Sequence, residues 1–322
     1  MKSPCCLFAL AALLPVHAAD APKATPPAEP TYLTAETAGP DFLLQGEYGG
    51  DKLGADVIAL GKDAFRLVMH RGGLPGAGWD GSAKVEVEGK RVGDGVRFEG
   101  ALKAELKEGV LSGQNAAGEG FVLKRIVRHS PTEGAPPPAG AVILFDGSGA
   151  EAWNGGHLDE RRLLAAGTVS RQAFQDFTLH LEFLLPFKPL GRGQGRANSG
   201  VYVQNRYEVQ VLDSFGLAGL DNECGGIYKN SAPKVNLCYP PLQWQTYDMD
   251  FTAAKFDAAG KKTANAVLTV RHNGVVVQDR LELKGVTPGG GFKAEVPAPG
   301  PFQLQGHGNP VFYRNIWVVE RK

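Results

Sequence analysis

Apolar and polar residues alternate through residues 198–213 of this chain. Val201 and Val203 fall on one face and Tyr202 and Gln204 on the other, then Val209 and Val211 oppose Glu208 and Gln210. A period of two predicts a strand pair, joined by a short polar turn, that buries its valines and shows its polar side chains. Residues 177–183 alternate strictly as well, with Thr178, His180 and Glu182 opposite four apolar residues. Residues 266–277 read as a hairpin turned at Asn273-Gly274, the strongest short-range hairpin signal. Further strands are predicted at 142–145, 301–305 and 315–319. Upstream, β-like segments recur at 57–60, 65–69, 84–87, 95–98 and 120–123, separated by turns such as Gly93-Asp94-Gly95.

Composition points the same way. With 43 Gly and 22 Pro and few helical periodicities, the chain reads as all-β. Residues 31–129 form a small antiparallel meander or compact sandwich, and residues 141–322 a two-sheet sandwich or jelly roll. Between them, residues 130–140 carry three consecutive prolines and are expected to form a stiff, extended linker. The glycine-dense loop at 72–79 is expected to be a set of tight turns that pin Trp79 to the core, rather than a stacking surface for a sugar ring.

The N-terminus has the layout of a secretory signal over residues 1–19: Lys2, an apolar run at 7–14, and a small-residue site at Val16-His17-Ala18. The run is too short to span a bilayer. Cys5 and Cys6 stand at its front, where a lipid-modified cysteine would not be. Residues 20–30, rich in Ala and Pro, are expected to be a disordered tether, and the mature protein to be periplasmic or secreted. Lys and Arg equal Asp and Glu at 34 each, so no net field draws the chain to nucleic acid. No later segment is apolar enough for a membrane span.

Beyond the signal only Cys224 and Cys238 remain. In an oxidising compartment they are candidates for one disulfide, the alternative being two buried thiols. No ligand-spaced Cys or His pair suggests zinc, and no phosphate loop, dinucleotide fingerprint or Gly-x-Ser-x-Gly elbow is present. No cofactor is therefore expected, although Asp213, Glu208 and His307 leave room for a divalent cation with oxygen ligands.

Amides and carboxylates suit sugar hydroxyls because they form paired, directional hydrogen bonds. Glu208 shares a strand face with Gln210 and is the leading acid or base candidate. The spacing Glu208-x-Gln210-x-x-Asp213 resembles the three-acid strand of jelly-roll glucanases, with Gln210 in place of the middle acid; without a bulge, parity sends Asp213 to the other side. His307, flanked by glycines, shares parity with Gln303 and Gln305 and is a candidate acid. Arg314 is read as a sugar clamp, an orienter of Glu208, or a structural ion pair. Asn198, Tyr202, Gln204, Gln210, Asp213, Gln305 and Arg314 complete the expected substrate contacts. Ser199 is assigned to the turn and Trp244 to the core, and His180 with Glu182 to a solvated or groove-lining pair.

Several motifs occur together and in order: Leu144-Phe145-Asp146-Gly147, Asn198-Ser199-Gly200, residues 207–213, Gly225-Gly226-Ile227-Tyr228, residues 244–248, residues 304–310 and residues 313–318. In combination they resemble the bacterial 3-keto-disaccharide hydrolase family over roughly residues 141–320. The resemblance implies a concanavalin A-like jelly roll in a secreted protein that acts on 3-keto sugars by hydrolysis, hydration or elimination. The Ala152-Trp153-Asn154-Gly155 segment departs from the commoner Gly-Trp pair. A ketone at C3 acidifies the C2 proton, so a base, donors for the enolate oxygen and a proton source for the leaving oxygen suffice. Direct displacement with two carboxylates is the other route. A glycan-binding module without chemistry is the competing reading, since jelly rolls host both lectins and hydrolases.

Overall fold

The computed structural model describes residues 29–321. The signal segment and nearly all of the tether lie outside the described residues. After a one-turn helix α1 (Pro40–Leu44) come eight strands: β1 (Gly46–Gly50), β2 (Leu53–Gly61), β3 (Ala64–Arg71), β4 (Val85–Val92), β5 (Gly95–Glu99), β6 (Lys103–Lys107), β7 (Val110–Gln114) and β8 (Gly120–Ile126). Each pairs antiparallel with the next, and β1 also pairs with β8, so the predicted meander closes into a barrel. Closure leaves no edge strand. Tyr48, Val57, Phe65, Leu67, Phe98 and Leu111 fill its interior. On β6 burial alternates with the sequence, whereas β2 is buried on both faces. The reason is that Ile58 of β2 and Val68 of β3 point outward into the core of the second unit.

That unit contains β9 (Val142–Phe145), β10 (Trp153–Asn154), β11 (Leu164–Ala165), β12 (Thr168–Phe174), β13 (Phe177–Leu184), β14 (Ser199–Val203), β15 (Tyr207–Val211), β16 (Trp244–Thr252), β17 (Lys255–Phe256), β18 (Lys262–Ala264), β19 (Ala266–His272), β20 (Val275–Leu283), β21 (Gly300–Leu304) and β22 (Phe312–Glu320). One sheet runs β10-β12-β21-β14-β15. The other runs β11-β22-β13-β16-β19-β20, with β9 beside β22, and β17 and β18 form a separate ribbon. The two sheets pack as a concanavalin A-like jelly-roll sandwich. Phe177, Leu179, Leu181 and Phe183 of β13 share one core with Val201, Val203, Val209 and Val211 of β14 and β15. Each such side chain contributes about 1.5–3 kcal/mol on burial. Asn273 and Gly274 form the two-residue turn between β19 and β20, both at positive φ (49° and 81°), as the sequence signal requires.

The proline-rich connection is not free along its length. Ser130 and Thr132 hydrogen-bond Thr246 at 2.6 and 3.0 Å, and Thr132 donates to Asp248 at 2.7 Å. The Gly134 N–H donates to Glu182 at 2.6 Å. Residues 130–135 are thus stapled across the outer face of the larger sheet. His180 and Glu182, expected to be solvated or groove-lining, are buried beneath this strap rather than solvated, with Glu182 at the wall of a cavity beside it. Trp79 is half-buried, edge-on against His70 at 5.7 Å. In place of the disulfide considered for Cys224 and Cys238, the structure holds two buried free thiols. Cys224 Sγ lies 3.2 Å from the Tyr247 hydroxyl, under the floor of β15.

Candidate active site

The pairing of β14 with β15 places Tyr202 opposite Glu208 and Gly200 opposite Gln210. Since Val201, Val203, Val209 and Val211 fill the core, these four positions face the other way. A Cβ at Gly200 would stand 2.2 Å from Glu208 Oε1. The glycine of Asn198-Ser199-Gly200 therefore makes room for the carboxylate. Asn198, Tyr202, Glu208, Gln210, Gln305 and His307 line one cavity of about 240 Å³, together with Gln194, Tyr228, Lys229, Pro288 and Gly289.

Glu208 is nearly fully buried at the wall of this cavity. Burial pushes its carboxyl up to about 7, against the lowering effect of the Tyr202 hydroxyl. That hydroxyl lies 2.7 Å from Glu208 Oε2 and 2.7 Å from the Pro288 carbonyl. One hydrogen cannot serve two acceptors at once. With Glu208 ionised, Tyr202 donates to it; with Glu208 protonated, the acid donates to Tyr202, which turns its hydrogen to Pro288. The site thus holds Glu208 in either state without abandoning the pair. Burial raises Tyr202 far above the usual phenol range, so it remains a neutral donor.

The floor is an amide network. Gln194 Oε1 accepts from Asn198 at 3.1 Å and from Gln210 at 3.0 Å, while its own amide donates to the Asn222 carbonyl at 2.8 Å. Gln210 Oε1, fully buried, has no partner within the protein. A buried acceptor without a donor is costly, and a ligand hydroxyl entering the cavity would supply one. Above it, Lys229 Nζ lies 5.5 Å from the Tyr228 ring, and His307 stands on an exposed turn between two glycines.

Three of the predicted contacts lie elsewhere. Gln204 occupies the hairpin turn at φ 52°, where its amide donates to the Phe174 carbonyl at 2.9 Å. Asp213 is buried in an ion pair with Arg196 at 2.7 Å and does not line the cavity. It follows that Asp213, Glu208 and His307 do not converge on a cation. Among the described residues no cluster of three or more His, Cys, Asp and Glu has metal-binding geometry. Arg314 belongs to the opposite sheet, where it pairs with Glu182 at 2.6 Å and Glu133 at 2.9 Å and lies over Trp244. Ser199 bonds the Tyr313 hydroxyl and the Gln305 carbonyl, as fits a structural position.

Sequence reasoning passed over Gln194, Lys229 and residues 287–291. Glycine density around Gln194 and the Gly289-Gly290-Gly291 run were the available signals. A Cβ at Gly289 would fall 2.3 Å from the Tyr202 hydroxyl, and Thr287 Oγ1 accepts from the Glu208 N–H at 2.8 Å. Thr287 thus caps the start of the β15 edge, and residues 225–228 pair along the rest of it.

A jelly roll with a polar, carboxylate-bearing cleft on one sheet is a form shared by carbohydrate-binding and carbohydrate-cleaving sandwiches. Residues 140–319 match the 3-keto-alpha-glucoside-1,2-lyase-like domain, and the chain belongs to that family, the one its motifs resemble. It is similar to a candidate glycosyl hydrolase from Parabacteroides distasonis, at 33% identity and a TM-score of 0.52, over 57% of this chain and 85% of that one. Two more such structures from the same organism are 16% and 20% identical, with TM-scores of 0.42 and 0.40. They cover 57% and 56% of this chain and 94% and 99% of their own. No curated protein matches this chain.

Proposed function

We propose that this protein cleaves 3-keto-glycosides, with Glu208 as the base and His307 as the acid for the leaving group. The observation that carries the reading is Glu208 itself: a buried carboxyl with its pKa raised to about 7, beside an unpartnered amide oxygen in a polar cavity. Glu208 removes the C2 proton, and the electron pair forms the enolate at C3. Collapse of the enolate restores the ketone, makes the C1–C2 double bond and breaks the C1–oxygen bond. His307 gives its proton to the departing oxygen. Water then adds at C1 and gives its proton to His307, while Glu208, its proton exchanged with solvent in the meantime, delivers a solvent-derived proton to C2, which completes net hydrolysis and restores both groups. Asn198, Gln210 and Gln305 hold the sugar hydroxyls, with Tyr202 fixing Glu208. The signal-like residues 1–19 support a periplasmic or secreted setting.

Incubation with a 3-keto-disaccharide in deuterated water tests the proposal. Cleavage with deuterium at C2, absence of turnover on the unoxidised disaccharide, and a loss of about 10²–10⁴-fold in Glu208→Gln are expected. Cleavage without label at C2 would replace elimination by displacement. Full activity in Glu208→Gln would remove that residue from the chemistry. Glycan binding with no product would identify a lectin.

A further inference from the structure

We infer that the N-terminal barrel is a positioning module for the cleft, acting through the loop 186–196 of the sandwich. The decisive residue is Phe187. It leaves the sandwich after β13 and is fully buried in the core of the barrel, not in its own. There it stacks on Tyr32 (ring centroids 5.9 Å apart) and packs on Phe42 of α1 (5.3 Å). Its backbone exchanges two hydrogen bonds with Tyr32, both 2.9 Å.

The residues that follow are held by the barrel too. Arg192 donates to the carbonyl of Leu60, at the end of β2, at 2.7 Å. Leu190 rests on Gly61, where a Cβ would lie 2.5 Å from its Cδ2. The barrel thus grips this loop at three points within six residues.

From the gripped loop two paths enter the cleft. Gln194 carries the oxygen that gathers Asn198 and Gln210 into the floor. Lys188 donates to the Gly195 carbonyl at 2.8 Å and to Asn309 Oδ1 at 2.7 Å, while Asn309 donates to the His307 carbonyl at 3.0 Å. Floor and histidine turn are therefore set from one loop whose anchor is outside the sandwich. A sandwich alone would leave Phe187 exposed and the loop without its fixed end. Phe187 and Lys188 are positioning residues: neither lines the cavity.

The test uses the full chain. In Phe187→Ala, amide hydrogen exchange should rise about tenfold or more over residues 188–198 and 305–310, while β13 and β16 keep their protection. Phe187→Leu should restore most of it. Lys188→Met, which spares the barrel core, should loosen 305–310 and the 193–196 turn it also holds, and leave the barrel protected. With methyl 3-keto-α-glucoside, Phe187→Ala should raise KM by about tenfold and change kcat less, since a shift of about 1 Å in binding groups costs up to about 10²-fold. Unchanged exchange at 305–310 in Lys188→Met, or a Phe187→Ala response confined to the barrel, overturns the inference. The kinetic arm rests on the function proposed above, whereas the exchange arm does not. Should the wild type fail to turn over the ketoside while exchange responds as described, the enzyme reading falls and the positioning role stands.

Discussion

The two sheets of the sandwich each carry a glutamate near a histidine, and the two environments drive them in opposite directions. Glu208, on the cleft side, accepts one hydrogen bond from a tyrosine, and burial pushes it up to about 7. Glu182, on the outer side of the larger sheet, is buried as deeply. There burial again works to raise the carboxyl, but His180, Asn315, Arg314 and the Gly134 N–H together hold it at about 2. His180 is raised, since its bonds to Asp248 and Glu182 outweigh burial. Burial alone therefore does not create a reactive carboxylate. What distinguishes the cleft is burial with a single neutral donor, where Glu182 meets several donors that include a guanidinium.

Removing Glu182 sharpens this contrast most. Glu182→Ala leaves Arg314 with Glu133 alone and His180 with Asp248 alone; breaking a fully buried pair on one side costs about 3–5 kcal/mol, and the loss here is smaller because Arg314 is partly exposed. Chemical denaturation should show that loss, with turnover per folded molecule retained. Gly200→Ala comes next: its Cβ collides with the Glu208 carboxylate, and a fall in kcat of roughly 10²-fold is expected with the fold intact. Activity near wild type would mean that Glu208 need not stay where it is.

The pH dependence separates the two acids further. Glu208 binds its proton more tightly when folded, so its contribution to stability declines as pH rises from about 4.5 to about 7. Glu208→Gln should be more stable than wild type at pH 8, on the order of 3 kcal/mol, and no more stable at pH 4. Glu182 has the opposite sign: its contribution is present above about 4.5 and is lost as pH falls toward about 2. With Glu208 as the base, turnover rises with pH through about 7 on the acid limb of its profile. The smallest effect concerns Tyr202→Phe, which takes the donor from the carboxylate. The midpoint of the pH–rate profile should move upward by about one pH unit.

Much of the cleft was legible because strand parity is a strict code. Val201 and Val209 point inward, so Tyr202, Glu208 and Gln210 had to point outward together, and parity along β21 carried on to Gln305 and His307. Where the period stops, the reading failed. Gln204 already lies in the turn, at positive φ, so alternation no longer says where its side chain goes. Arg314 follows His307 closely in sequence, but residues 305–311 cross from one sheet to the other. The barrel was readable as hairpins only, for its closure depends on pairing β1 with β8, far apart in sequence. Proline content suggested a stiff, extended linker rather than packed structure because composition does not reveal the acceptors Asp248 and Glu182 waiting on the sheet.

The strap at residues 130–135 has a consequence for how the chain can be divided. Its hydrogen bonds belong to the sandwich, yet by sequence it precedes the exposed prolines at 136–138. A protease nick at those prolines would sever the covalent connection but leave the leading fragment fastened by its own tail and by Phe187. The two pieces should migrate as one particle on a sizing column and come apart only under denaturing conditions.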